Sequence, residues 1–239
     1  VYQHWDPLEV CVVGQAYPPE FYSWIKDSNT RKKFEQVAAE TEQDFQQLIQ
    51  LLESFDVEVL RPHIPKQFDD CMVDGVWVPP PVTPRDYFIQ IHDKLWVPIT
   101  PNANHAHHAF KKQSAKTWEQ FQAHDQAKHI RKLKFYSEVF ERSDVKPTDC
   151  SYISGCFVSR LGKDLFFATQ TVFDDWTVIQ RQVDKLFPDT TNHIVDAQGH
   201  GDAVYCPVAP GLIISIANED YKESFPNWEV VHLPESHYA

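Results

Sequence analysis

The residues best suited to chemistry are a histidine and an aspartate separated by one residue, with a glycine on each side of the histidine. They form the run Gly199, His200, Gly201 and Asp202. An imidazole titrates near neutral pH and suits general acid–base work, and on an extended segment residues i and i+2 point to the same side. We predict that His200 is an acid–base group with Asp202 beside it. The plainer alternative is a loop histidine held by a nearby aspartate.

A second acidic candidate is Asp86, which follows Pro84 and Arg85. A carboxylate accepts paired N–H bonds from a planar guanidinium group, so Asp86 is suited to bind such a group. The alternative is an Arg85-Asp86 turn held by local hydrogen bonds. The residues alone leave both interpretations open.

A weak internal repeat surrounds these residues. Segments 86–97, 157–167 and 202–215 each predict a strand, a tight turn and a second strand, with helices between the copies. Such copies of one ββα-type unit would bury their faces against each other, although chance similarity among hairpins is the alternative. Asp86 and Asp202 open the first and third copies. Units arranged around an axis would bring them to one central site, and Phe157 stands near the same point of the second copy.

The remaining elements are expected to support this repeat. Leu8–Gly14 predicts a buried strand, and Asp27 and Ser28 are helix-capping residues at the start of a long helix. A second helix is predicted over residues 118–140 and a third over residues 176–186, with further strands at residues 57–60, 192–196 and 229–233. The first helix should bury one apolar stripe, which consists of Phe34, Val37, Ala38, Thr41, Phe45, Leu48, Leu52 and Phe55.

The amino-acid composition limits which classes of protein and which partners are plausible. The 239 residues are 42% hydrophobic, which is enough for a sizeable core, and we expect a single domain over residues 1–239. A net charge of -12 disfavours nucleic acid and anionic membranes as partners and favours a cationic small molecule. No run approaches the roughly 18 apolar residues of a membrane span, and we find no secretory leader.

The cysteines and histidines indicate reduced thiols and no metal site. Five cysteines without a C-x-x-C spacing are typical of a cytoplasmic protein. A segment with His105, His107 and His108 has no cysteine or carboxylate partner at ligand spacing, so we interpret it as an exposed loop. We predict no metal and no cofactor. Cys156 and Cys206 are expected on hairpin strands, in structural roles.

Several segments of the chain resemble, in order, motifs of the amidinotransferases. This family belongs to the guanidino-group-modifying superfamily, which also contains arginine deiminases and dimethylarginine hydrolases. His4–Gly14 is similar to the family's E-W-D-P-L-x-x-V-x-V-G, and Pro84–Asp86 to its P-R-D. Ser159–Phe166 resembles I-R-A-G-R-D-I-F. His200–Ala203 and Pro210–Ser215 resemble H-I-D-A followed by P-G-L-V-L-S.

The resemblance implies a pentein-type α/β propeller of five blades with the active site on its axis. In this family a cysteine attacks the guanidinium carbon of arginine, ornithine leaves, and an amine such as glycine takes the amidino group. By this resemblance His200 is the general acid–base group, and Asp86 and Asp202 bind the substrate. Arg85, Ser154 and Gly201 are possible further site residues. The implied partners are arginine or another guanidino compound and an amine acceptor, and a homo-oligomer is compatible.

The chain departs from the family pattern at two points. The family's acidic segment F-D-A-A-D-F corresponds to Tyr152–Phe157, where Ser154 and Phe157 replace the acidic residues. None of the cysteines lies in the family's nucleophile motif. We therefore expect about three of the five blades here, in a fragment of a longer protein that carries the nucleophile elsewhere. Two alternatives stay open: a deiminase- or dimethylarginine hydrolase-like enzyme with water as the acceptor, and a non-catalytic guanidine-binding relative.

Overall fold

The computed structural model describes residues 5–73, 75–97, 128, 130–142, 147–149, 155–169, 176–196, 200–215 and 225–233. The chain divides into two compact units. The helix unit comprises Leu8–Pro84 and Lys116–Lys146, and the repeat unit comprises Val1–Pro7, Arg85–Ala115 and Pro147–Ala239. None of the described helices is long and apolar enough to cross a membrane.

The helix unit begins with a strand, a long helix and a second strand. β1 (Val10–Val12) and β2 (Glu58–Leu60) pair in parallel, and α1 (Ser28–Glu53) connects them. Parallel neighbours require such a crossover connection. A short hairpin of β3 (Met72–Val73) and β4 (Val76–Trp77) and a short helix α2 (Ser137–Arg142) follow.

The predicted long helix and its cap are confirmed. The side chain of Asp27 accepts a hydrogen bond from the backbone N–H of Thr30 at 2.8 Å, which satisfies one of the unpaired donors at the start of α1. The prediction for the strand at residues 8–14 is right in type, but β1 is shorter, and Val10 on it is exposed.

The predicted buried stripe of α1 is wrong in part. Ala38 is buried, but Phe34, Val37, Leu48 and Phe55 are exposed, and Phe55 has a relative exposure of 73%. The less exposed positions are Arg31, Glu35, Ala38, Thr41, Glu42, Phe45, Ile49 and Leu52. Periodicity shows which residues share a helix face. What covers that face depends on the elements packed against it, which here are β2 and the 3-10 turn Pro19–Trp24.

The repeat unit contains three sheets with one topology. They are β5 (Ile89–Ile91), β6 (Lys94–Val97) and β7 (Pro147–Asp149), then β8 (Val158–Leu161), β9 (Asp164–Thr169) and β10 (Thr191–Asp196), then β11 (Tyr205–Ala209), β12 (Leu212–Ser215) and β13 (Glu229–His232). In each sheet the second strand lies in the middle. It pairs antiparallel with the strand before it and parallel with the strand after it.

The three predicted hairpins are therefore confirmed, and each repeat gains a parallel third strand. The helix α3 (Trp176–Leu186) connects β9 to β10, as the sequence pattern predicts, and β13 falls where a strand was expected. Of the second predicted helix, over residues 118–140, the structure describes residues 128 and 130–140, which are helical except for a turn at residues 135 and 136. Hairpin turns form locally because each contains a residue with positive φ: His92 at 53°, Gly162 at 63° and Gly211 at 78°.

A short helical turn precedes each hairpin. The turns are Pro84–Asp86, Gly155–Phe157 and α4 (Gly201–Val204). The expectation that Asp86 and Asp202 begin strands is therefore wrong, since both lie in helical turns ahead of them. The extended geometry assumed for His200 and Asp202 is also wrong, because His200 is the N-cap residue of α4 and Asp202 lies within that helix.

The core of the repeat unit is continuous across the second and third sheets. Val158, Leu165, Phe167 and Ile213 are fully buried and belong to one apolar cluster. Trp96 of the first sheet joins the cluster, and its ring stacks on that of Phe187 with centroids 5.7 Å apart. Apolar burial on this scale holds the strands, and with them the helical turns at the strand starts, in fixed positions.

Candidate active site

The three helical turns bring an acid, a thiol and an imidazole together. Asp86 comes from the first turn, Cys156 from the second, and His200 directly precedes the third. One potential ligand atom of each side chain lies within 4.8 Å of the other two. Nδ1 of His200 is 4.0 Å from Oδ1 of Asp86. We call these three residues the turn cluster, and all of it lies within the repeat unit.

Two glycines in these turns make close contacts with neighbouring segments. A Cβ atom at Gly155 would lie 2.5 Å from the carbonyl oxygen of Arg85 and 3.0 Å from that of Phe88. A Cβ atom at Gly201 would lie 3.0 Å from Cβ of Ala168 and 3.5 Å from the carbonyl oxygen of Cys156. The absence of a side chain at Gly155 therefore lets the second turn lie against the first. At Gly201 the tight contact is with Ala168 of β9, whereas the 3.5 Å separation from Cys156 is an ordinary van der Waals contact.

Arg85 holds the neighbouring acid. Its Nε donates to Oδ2 of Asp202 at 3.2 Å, and its second terminal nitrogen donates to the carbonyl oxygen of Val158 at 2.6 Å. Arg85 thus connects the first turn to β8 and to α4. Both charged side chains are about one-third exposed, so solvent weakens this ion pair and it is worth about 0–1 kcal/mol.

His200 packs against an aromatic ring. The rings of His200 and Phe157 meet edge to face with centroids 5.0 Å apart. Phe157 stands at a position where the resembled family has a carboxylate, and a phenyl ring cannot accept a proton from the imidazole. Asp86 is the acid that the described part of the chain brings to this imidazole.

Buried ionisable groups surround the turns. Burial raises the pKa of Tyr205 to about 12, and burial followed by the charge of Asp86 raises the pKa of Tyr87. Burial, and next the positive charge of Arg85, lower the pKa of Arg160 to about 10. These shifts show that charge is poorly solvated under the turns, and electrostatic contacts are stronger in such surroundings than in water.

The structure places most of the predicted site residues close together. Asp86, His200, Arg85 and Asp202 come together in the repeat unit, and Gly201 packs against Ala168 of β9. The possible site residue Ser154, like Gly199, lies outside the described residues. Their catalytic and substrate-binding roles stay predictions.

Sequence reasoning missed Cys156. It lies in a helical turn rather than on the expected strand, it is 1% exposed, and it belongs to the turn cluster. A signal was present, because Cys156 immediately precedes Phe157, the residue that marks the second copy of the repeat. Cys206 does lie on a strand, β11, and is exposed. The described cysteines carry thiols rather than disulfides.

A separate cavity of about 840 Å³ lies in the helix unit. Tyr17, Phe21 and Trp24 contribute to its wall, as does Glu42, which forms an ion pair with Arg61 at 2.9 Å. None of the predicted site residues lines this cavity. It is therefore distinct from the turn cluster, and the chemistry expected from the sequence does not involve it.

Solved structures with the same fold include two amidinotransferases and an agmatine deiminase. SxtG, an amidinotransferase of the saxitoxin biosynthetic pathway from Microseira wollei, is 17% identical with a TM-score of 0.63, over 100% of this chain and 76% of that one. The inosamine-phosphate amidinotransferase StrB1 from Streptomyces griseus is 18% identical with a TM-score of 0.59, over 98% and 75%. The C. jejuni agmatine deiminase is 14% identical with a TM-score of 0.57, over 97% and 72%. No protein-family model and no curated protein matches the sequence.

At these identities the similarity establishes the fold. The chain has an α/β fold that it shares with amidinotransferases and with an agmatine deiminase. The resemblance to amidinotransferases read from the sequence motifs is thereby confirmed at the level of structure. The five-bladed propeller and its blade count stay predictions.

Proposed function

We propose that this protein is an amidinotransferase-like enzyme that moves the amidino group of arginine to an amine such as glycine. The meeting of Asp86 and His200, with Asp202 held nearby through Arg85, is the observation that carries the proposal. Two acids and an imidazole supply what the reaction requires, which is charge complementary to a guanidinium and a group that moves a proton. The fold shared with two amidinotransferases supports the same assignment.

Substrate binding follows from the carboxylates. The Arg85–Asp202 pair shows that this acid already binds a guanidinium, through Oδ2 at 3.2 Å. A substrate guanidinium would bind Asp202 through its other oxygen and would donate paired N–H bonds to Asp86. The net charge of -12 also favours the approach of a cationic substrate.

His200 has two proton transfers to perform in this reaction. A thiolate attacks the guanidinium carbon, the bond from that carbon to the side-chain nitrogen of arginine breaks, and His200 gives a proton to the departing ornithine amine. The incoming amine then gives a proton to His200, attacks the same carbon and releases the thiolate. Arginine and glycine thus become ornithine and guanidinoacetate, and dividing one hard substitution into two lowers its barrier.

The described residues do not assign the attacking thiol. Cys156 lies beside His200, but its exposure of 1% gives a substrate carbon poor access to the sulfur. We therefore keep the expectation drawn from the family resemblance, in which the nucleophile lies in a motif that residues 1–239 do not contain.

Product analysis tests the reaction. A form of the protein that includes the expected nucleophile motif is incubated with L-arginine and glycine, and ornithine, guanidinoacetate and citrulline are quantified by mass spectrometry. We expect equal amounts of ornithine and guanidinoacetate. Citrulline in place of ornithine would show that water is the acceptor and would replace the transferase with the hydrolase alternative.

Binding is tested separately by calorimetry with L-arginine. Asp86→Asn should weaken binding about 10- to 100-fold, because a hydrogen bond to a charged group contributes about 1.5–3 kcal/mol. Asp93→Asn is the matched control, since Asp93 is an exposed residue in the turn at the other end of the same hairpin. Binding without any product would identify a non-catalytic relative. Absence of arginine binding would refute the assignment to guanidino chemistry.

A further inference from the structure

We propose that the turn cluster of Asp86, Cys156 and His200 is a binding site for a divalent transition-metal ion, with Zn²⁺ the best match. The three ligand atoms are a sulfur, a nitrogen and an oxygen, and they lie within 4.8 Å of one another. Zinc accepts this mixed donor set, whereas magnesium and calcium prefer oxygen alone. The site goes beyond the proposed amidino transfer, which uses no metal.

The distances require only a small closure around the ion. With zinc–ligand bonds of about 2.0–2.3 Å, tetrahedral ligand atoms are about 3.3–3.7 Å apart. The side chains of Asp86 and His200 are 35% and 42% exposed, so rotation about their side-chain bonds can shorten these separations by the required amount, about 1.5 Å at most. Cys156 is buried, and its sulfur is held in place by packing. The thiolate would therefore anchor the ion while the other two ligands close on it.

The arrangement has a structural basis in the repeat. Each ligand comes from an equivalent place, the helical turn or its N-cap residue ahead of a hairpin. Gly155 permits the backbone contact that sets the first and second turns side by side, and Phe157 packs against the His200 ring. Three protein ligands leave a fourth position on zinc for water or a small molecule, as in catalytic rather than purely structural zinc sites.

The metal site and the guanidino site share two residues. If Asp86 and His200 act on arginine as proposed above, an ion and a guanidinium group exclude each other, and this consequence rests on the proposed function. The metal site itself does not. Its test measures metal binding without turnover, so failure of one proposal is distinguishable from failure of the other.

The test titrates Co²⁺ alone into the reduced, metal-free protein. Cobalt reports its ligands by absorption, with a thiolate-to-cobalt charge-transfer band and visible bands of a four-coordinate ion. We expect one Co²⁺ per chain with the thiolate band, displaced by one equivalent of Zn²⁺. The thiolate band distinguishes Co²⁺ bound at the turn cluster from Co²⁺ bound at His105, His107 and His108, because those residues offer imidazoles and no thiolate.

Variants assign the ligands. Cys156→Ser should remove the thiolate band and weaken Co²⁺ binding by at least about 100-fold, since even indirect partners of a metal contribute 10- to 100-fold. Asp86→Asn and His200→Ala should keep the band but bind at least about 10-fold more weakly. Cys206→Ser and His193→Ala are matched controls that change nothing, because Cys206 is an exposed thiol on β11 and His193 pairs with Asp164.

Two outcomes would overturn the proposal. One is a wild-type protein that binds Co²⁺ without a thiolate band or does not bind it at all. The other is a band that persists in Cys156→Ser or disappears in Cys206→Ser. Circular dichroism checks the folding of each variant. If Cys156→Ser does not fold, the partly exposed ligands Asp86 and His200 decide the question, and unchanged affinity in both variants would refute the site.

Discussion

Replacing Gly155 by alanine should separate the turns that form the candidate active site. The added Cβ would lie 2.5 Å from the carbonyl oxygen of Arg85, whereas ordinary contact begins at 3.4 Å. One turn therefore has to retreat by roughly 0.9 Å. Because Arg85 immediately precedes Asp86 and Gly155 precedes Cys156, this retreat also moves the two ligands apart.

The loss of stability in Gly155→Ala depends on the kind of atom that the new Cβ contacts. A backbone carbonyl cannot rotate away as a flexible side chain can, so the substitution resembles overpacking of a core, which costs about 1–3 kcal/mol. We expect Gly155→Ala to lower the free energy of unfolding in urea by that amount. We also expect it to weaken both arginine binding and Co²⁺ binding by at least about 10-fold, since ligands misplaced by nearly an ångström bind poorly.

The matched control is Gly211→Ala in the hairpin between β11 and β12. Gly211 has a φ of 78°, and a Cβ there would meet nothing within 4 Å. Gly211→Ala should therefore lower the free energy of unfolding by about 1–2 kcal/mol, because alanine is strained in the left-handed backbone conformation. It should not move the turns. Because the two variants should lose similar stability, the arginine and Co²⁺ affinities are what distinguish Gly155→Ala from Gly211→Ala. A Gly155→Ala protein with unchanged stability and unchanged binding would show that the glycine contact does not set the site.

Three further predictions concern separate residues. His200→Ala should abolish product formation while the circular dichroism spectrum stays unchanged, and retained activity would remove His200 from the mechanism. Tyr17→Phe should cost about 1–2 kcal/mol in urea unfolding, because the Tyr17 hydroxyl donates to the buried carbonyl of Val78 at 2.7 Å; Tyr22→Phe is the control, and equal losses would contradict the reason given. The pKa of Tyr205 is about 12 in the fold and near 10.0 when unfolded, so its contribution to stability is constant below pH 10 and falls as the pH rises from 10 to 12. Tyr205→Phe should remove that slope, and parallel losses in both proteins would refute it.

Local elements were predictable because their causes are local. The three hairpins follow from apolar strands around turn residues that adopt positive φ, at His92, Gly162 and Gly211. The start of α1 follows from Asp27, whose side chain reaches a donor three residues on. These contacts involve residues close together in the chain, and the residue types alone specify them.

Long-range features were not predictable in the same way. The parallel third strand of each sheet pairs with a strand far along the chain, as β7 at Pro147–Asp149 pairs with β6 at Lys94–Val97. The exposed side of α1 likewise depends on the elements that pack against it. Periodicity cannot report either feature, because it describes a segment and not the neighbours of that segment.

The candidate site also has features that the sequence predicts and features that depend on tertiary structure. The sequence by itself identified Asp86, His200 and Asp202 as candidates for binding a guanidinium group, since residue type and motif order carry that information. Only the tertiary structure decided the pairing: Asp86 lies beside His200, Asp202 binds Arg85, and Cys156 joins the cluster. The physical reason is that the close backbone approach at Gly155 joins turns of two different repeats, and no spacing within the sequence encodes such a distance.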